Sequence, residues 1–211
     1  ALEKAANQET PISDLSDDIK KVLDIVTSHA ETSKAVLTVV FTSAVYKCLH
    51  NDQDIRRHQS SITNGYSGRT FDTHYITPFL KKYRFPSMGE SGWLTRSLEQ
   101  KVPYDQNYTG AIKPDSLKGA FIESIEYIQN SGKQEEIVDY LLQNLIIQRS
   151  KKQIELATPQ NLTISSICAL LHRHFYAKYH SHGTSRLPVI ALYAIYETIT
   201  KQIVRYRDKQ L

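Results

Sequence analysis

The chain has 211 residues, 40% hydrophobic and 23% charged, proportions that exclude a disordered or fibrous protein. No run approaches ~18 consecutive apolar residues, so no membrane span is expected, and the opening ALEKAANQETPISDL lacks the basic and apolar regions of a secretory signal. The net charge of +4 divides unevenly, with −4 over residues 1–55, +5 over 56–104, −4 over 105–147 and +7 over 148–211.

Two basic blocks between acidic ones predict a polarised surface field that attracts a polyanion. The plainer alternative is a set of charged helix faces that only meet solvent. Cys48 and Cys168 are the only cysteines and lie in apolar runs. They read as small buried thiols, without a disulfide framework, in a reducing, cytoplasmic setting.

The elements read as helices, and the expected class is mostly α: an irregular multi-helix domain with a long loop-rich insertion near residues 56–116. Ser16-Asp17-Asp18 supplies a cap and acidic first-turn charge ahead of Ile19, Val22, Leu23 and Val26. Glu31 to Leu49 carries a broad apolar stripe from Val36 to Leu49, and its uninterrupted length favours a buried helix over a strand.

Residues 56–116 hold five of the eight glycines, four of the seven prolines and the only tryptophan. A stretch this rich in turns predicts an ordered functional loop. Within it Thr77-Pro78 predicts a helix start, and Ser91 predicts a cap for a segment from Gly92 to about Gln100. Helices follow from Pro114-Asp115 to Gly132, from Gln134 to about Ser150, from Asn161 or Thr163 to Gly183, and from Pro188 onward. The expected division is N-terminal helices over 1–55, the basic loop-rich segment over 56–116 and a helical part over 117–211, packed as one unit. The last helix runs through TKQIVRYRDKQL with no glycine or proline stop, which suggests truncation at 211.

The segment Arg56 to Thr70 combines guanidinium forks, short hydroxyl and amide side chains, and glycines that let backbone N–H groups approach a ligand. Those groups grip phosphates and read base edges; a polar inter-helix turn is the alternative. Lys81-Lys82-Tyr83-Arg84 reads as a charged face, with phosphate contact as the second reading. Trp93, beside Leu94 and Leu98, reads as core, although with Arg96 it has the makings of a stacking pair. His172, His174, His180 and His182 form two H-x-H pairs, lacking the i, i+4 spacing that places two imidazoles on one helix face, so no metal site is expected. Glu99-Gln100-Lys101 and Pro114-Asp115 stand in the reverse of the usual nuclease order, with no apolar strands around them, and no catalytic set is expected.

The strings SSITNGYSGRTFDTHYITPFL, ESGWLTRSLEQ-x-x-PY and SHGTSRLPVIALYAIYE resemble the N-terminal helical part of type II restriction endonucleases, the SacI-like enzymes being the nearest subgroup. The resemblance covers about Arg56 to Tyr206. It implies a sequence-specific double-stranded DNA-binding region of a site-specific deoxyribonuclease, inactive alone, whose PD-(D/E)XK core and Mg²⁺ would lie beyond this chain. It implies homodimerisation through the parent enzyme, and no cofactor here. The DNA contacts it implies are Arg56, Arg57, Ser60, Ser61, Asn64, Tyr66, Ser67, Arg69 and Thr70, to which Lys81, Lys82 and Arg84 add phosphate contacts. Two other classes compete: a helical protein–protein interaction or dimerisation domain, which would lack salt-dependent DNA binding, and a small enzyme built on the histidine cluster, which would hold metal.

Overall fold

The most apolar helix of the first half is also its most enclosed. Helix α1 (Asp17–Ser28) buries a single stripe of Ile19, Val22, Leu23 and Val26, but α2 (Lys34–Leu49) is buried without interruption from Ala35 to Ala44. A helix apolar all round belongs at the centre of a bundle. Helices α5 (Asp115–Asn130) and α6 (Gln134–Lys151) pack on α2, and α1 closes over both of them. The computed structural model describes residues 11, 13–151, 163–176 and 187–202, which are mostly α-helical with no strand among them.

Between α2 and α5 runs a helix in three pieces: α3 (Gly68–Phe71), a π-helical turn (Asp72–Ile76) and α4 (Thr77–Lys82). The Ser67 hydroxyl caps it by accepting from the Thr70 N–H at 3.3 Å. The α-helical piece over Thr77–Lys82 does begin at Thr77-Pro78, with Pro78 in its first turn, but Thr77 continues the π turn instead of capping a free helix end. Pro78 lacks an N–H, and its ring crowds the carbonyl one turn back. The π turn, closed by the Thr77 N–H on the Asp72 carbonyl, widens the helix ahead of the proline and keeps it continuous.

The helix expected over 92–100 is absent, and the chain there runs through turns. The Asp72 carboxylate accepts from the Ser91 hydroxyl and the Gly92 N–H, both at 2.7 Å, so a tertiary anchor displaces the local helix. Gly132, with φ +70°, turns the chain from α5 into α6 in a conformation that favours glycine.

The chain forms two compact units, Ala1–Lys151 and Lys152–Leu211. This differs from the sequence-based division: segments 1–55, 56–116 and 117–151 share one core, and the boundary falls inside the expected C-terminal part. In the second unit Thr163 caps α7 (Ile164–Tyr176) through a reciprocal pair with Ser166, both at 3.2 Å, and α7 packs on α8 (Leu187–Gln202). Cys48 is half-buried and Cys168 exposed. The buried thiol expected at 168 does not hold: Cys168 lies on an exposed face of α7, next to exposed Ile167. The expected stop at Gly183 and the tail beyond Gln202 lie outside the described residues. No described helix is long and apolar enough to cross a membrane.

Candidate nucleic-acid interface

Asp54 organises the start of the basic loop. The Arg56 side chain donates to it twice, from Nε at 2.8 Å and Nη2 at 3.1 Å, the Arg56 backbone N–H donates at 3.1 Å, and Arg57 Nε donates at 3.3 Å. Burial alone would raise the Asp54 carboxyl, but the Arg56 and Arg57 hydrogen bonds hold it below the usual range. Arg56 also reaches Glu126 on α5 at 3.3 Å, and Arg57 Nη1 donates to the Thr63 carbonyl at 2.6 Å. Arg56 thus fastens the loop to α5, and Arg57 closes it on itself.

The loop closes as Tyr66 N–H bonds the Arg57 carbonyl at 3.0 Å. Gly65 is forced at this closure, since a Cβ there would lie 2.0 Å from the Gln59 carbonyl oxygen.

An aromatic floor lies beneath the loop. The Trp93 indole N–H donates to Nδ1 of buried His58 at 2.9 Å, and His58 Nε2 donates to the Val102 carbonyl at 3.2 Å. An accepting Nδ1 requires the proton on Nε2, so the imidazole is neutral with a fixed tautomer. Burial pushes its pKa down to about 4. The ring stacks on Tyr104 at 3.7 Å and 3°, and Tyr104 Oη donates to the Leu98 carbonyl at 2.7 Å. Gly68 brings α3 against Trp93, where a Cβ would sit 2.7 Å from the indole.

Asp72 anchors the same floor from below. It accepts from Thr77 Oγ1 at 2.8 Å as well as from Ser91 and Gly92. Burial nevertheless raises its carboxyl above the usual range.

Above this floor opens a cleft of about 510 Å³, rimmed by Ser60, Ser61, Ser67, Arg69, Arg96, Glu99, Gln100 and Lys101. Gln59 Nε2 donates to the Glu99 carbonyl at 2.7 Å and ties the two rim segments together. Arg69 Nη1 faces Glu99 Oε1 across the rim at 3.5 Å, each side chain about half exposed. The rim therefore carries three cations and one carboxylate, among hydroxyl and amide groups that donate or accept.

Of the residues expected at a DNA surface, the fold brings Ser60, Ser61, Ser67 and Arg69 into the cleft, and Thr70 adjoins it, its hydroxyl 2.6 Å from Ser67 Oγ. Tyr66 is a correction: it is buried and stacks on Tyr46 at 4.0 Å, which removes its ring from any surface contact. Arg56 and Arg57 are held in the ion pairs above. Asn64 occupies an exposed turn at φ +56°, where its carbonyl accepts from Gln53 at 2.9 Å.

Lys81, Lys82 and Arg84 lie at the end of α4 and do not line the cleft. Lys81 Nζ donates to the Gly89 carbonyl, Lys82 sits 5.6 Å from the Tyr83 ring centre, and exposed Arg84 has φ +57°. Trp93 is in the core, as expected. Arg96, which the sequence offered only as a partner of Trp93 for stacking on a base, and Lys101, which it offered only within Glu99-Gln100-Lys101, join the rim because the Asp72 anchor and the Gln59 tie help fold their segment beside Arg69. Asp115 pairs with Lys113 at 2.6 Å in the first turn of α5, away from the cleft that holds Glu99 and Lys101.

On α7, exposed His172 lies 4.5 Å from the Tyr176 ring. His180 and His182 lie outside the described residues, as does the His174 side chain. Among the described residues no three metal-ligating side chains gather.

Comparison with protein-family models, curated proteins and solved structures returns no match.

Proposed function

We propose that the first unit binds double-stranded DNA and reads sequence through the cleft between the Arg56–Thr70 loop and the Trp93–Lys101 segment. The observation that carries this reading is the rim: Arg69, Arg96 and Lys101 around hydroxyl and amide side chains, over a floor whose own polar atoms are paired internally. Cations of this kind neutralise phosphates, while Arg, Ser and Gln side chains address base edges. Lys81, Lys82 and Arg84 act as phosphate contacts outside the cleft. The likeness to restriction endonucleases extends the proposal to a target-recognition region in a reducing, cytoplasmic setting. In that parent enzyme Mg²⁺ would serve a nuclease core rather than the residues of this cleft, and the enzyme would act as a homodimer.

The test is duplex binding across a salt series. Engaging four to six phosphates is expected to give a slope of roughly −4 to −5 in log K against log salt. A flat titration, or no binding at low salt, overturns the reading.

A second reading, a protein–protein or dimerisation module, has one observation in its favour. On α8 the side chains of Val189, Ile190, Leu192, Tyr193 and Ile195 are exposed, more apolar surface than one solvated helix ordinarily presents. Self-association that rises with concentration and is indifferent to DNA would favour it.

A further inference from the structure

We infer that Arg69 and Glu99 form a two-part reader for a G·C base pair in the major groove. The inference rests on the DNA reading above and deepens it.

The two side chains come from segments 30 residues apart, face each other at 3.5 Å, and are both about half exposed. Their backbones are held independently of each other. Arg69 leaves α3, which is capped by Ser67 and pinned through Gly68 against Trp93. Glu99 leaves a segment whose carbonyl accepts from Gln59. Only the side chains must move to meet a ligand.

Their chemistry is complementary and exclusive. A guanidinium only donates and an ionised carboxylate only accepts. Guanine presents two acceptors in the major groove, O6 and N7, and its partner cytosine presents the N4 amino donor beside them. Arg69 on guanine and Glu99 on cytosine satisfy both partners. With adenine under Arg69 and thymine under Glu99, the N6 amino group meets a donor and O4 meets the carboxylate, so both contacts become repulsive; with thymine under Arg69, O4 still accepts but the C5 methyl stands where N7 would be, and the paired guanidinium contact is cut to one.

The carboxylate also distinguishes this pair from a phosphate clamp. A rim built only to grip a polyanion gains nothing from Glu99, which repels phosphate. Arg96 and Lys101 on the same rim supply the cations for that task. In the free protein the ion pair keeps the Arg69 fork from closing on any passing phosphate, so Glu99 contributes specificity at the expense of general affinity.

The experiment uses the full chain and a duplex library with a randomised core. Selected duplexes are sequenced, and affinities are then measured on fluorescent duplexes differing at one position. The wild type is expected to require G·C at one position, preferring it over A·T by roughly tenfold or more. Glu99→Gln, which melts like the wild type because its side chain is exposed, is expected to lose most of that preference while binding random duplex more tightly. Selection without a G·C position, or a preference unchanged in Glu99→Gln, overturns the inference and leaves salt-dependent binding standing. Absence of salt-dependent binding to any duplex overturns both.

Discussion

Trp93 and His58, 35 residues apart, are joined by a single hydrogen bond of 2.9 Å from the indole N–H to Nδ1, and that bond exists only while the imidazole is neutral. With its pKa near 4 in the fold against an ordinary 6.5, His58 refuses a proton that the unfolded chain accepts between those values. Its contribution is therefore fully present above pH 6.5 and is lost as the pH falls toward 4, by about 3 kcal/mol at most. His58→Asn retains an acceptor for Trp93 but does not titrate. It is expected to flatten the acid limb of stability, measured by urea unfolding between pH 4 and 7 with the fluorescence of Trp93, the only tryptophan. Equal slopes for the two proteins would remove His58 from the explanation.

Asp72 offers a contrast between two substitutions. Alanine strips the acceptor from the Gly92 N–H and from the Ser91 and Thr77 hydroxyls, an expected loss of about 2–4 kcal/mol. Asparagine keeps one oxygen for Ser91 and Gly92 and turns its amide toward the Thr77 hydroxyl, which can rotate to accept, so most of the stability is retained. Burial raises the Asp72 carboxyl, so the folded state protonates first as pH falls. Its contribution is lost as pH rises through that raised value, opposite in sign to that of His58. Denaturant midpoints at neutral pH rank the variants, and a red-shifted Trp93 emission in Asp72→Ala reports release of the floor. Equal destabilisation by both variants would show that the carboxylate's hydrogen bonds are not what holds the segment.

Gly65 tests the loop itself. A Cβ placed 2.0 Å from the Gln59 carbonyl oxygen and 2.8 Å from that of Ile62 meets backbone, which cannot move aside without opening the turn. Gly65→Ala is expected to cost about 3 kcal/mol and to weaken DNA binding together with stability. A variant as stable as the wild type would mean that the loop repacks freely.

Helix existence was legible wherever one chemical pattern decided it: the stripe of α1, the enclosed run of α2, Pro114-Asp115 before α5 and Gly132 after it. Two features were not: one is fixed by a partner distant in sequence, the other by an irregularity inside a helix. Ser91 looks like a helix cap, and nothing local reveals that buried Asp72, 19 residues earlier, takes its hydroxyl. Thr77-Pro78 does open an α-helical piece, but the π turn ahead of it, closed by the Thr77 N–H on the carbonyl of Asp72 five residues earlier, leaves no periodic signature. The candidate site was legible only in part. Composition located Ser60, Ser61, Ser67 and Arg69, but composition cannot separate a guanidinium that faces solvent from one that grips Asp54, nor a surface Tyr66 from one stacked on Tyr46.

The division of labour between Arg69 and the α4 lysines gives the remaining prediction. Arg69 lies on the cleft rim with a planar fork that makes paired hydrogen bonds, each worth roughly 1–3 kcal/mol of discrimination between bases. Lys81 and Lys82 stand at the end of α4, outside the cleft, exposed and in the last turn of a short helix. An ammonium is closer to a point charge and meets any phosphate about equally well. Arg69→Ala is therefore expected to lower affinity for a selected site by roughly 5- to 100-fold more than for random duplex. Replacing Lys81 and Lys82 together is expected to weaken binding to every sequence alike, and to reduce the salt slope by roughly 1 for each phosphate no longer neutralised. Titrations on selected and scrambled duplexes at two salt concentrations separate the outcomes. If Arg69→Ala reduces both affinities by the same factor, Arg69 is a phosphate clamp and the sequence is read elsewhere. If the lysine pair changes the selected site alone, the α4 end, rather than the cleft, carries the specificity.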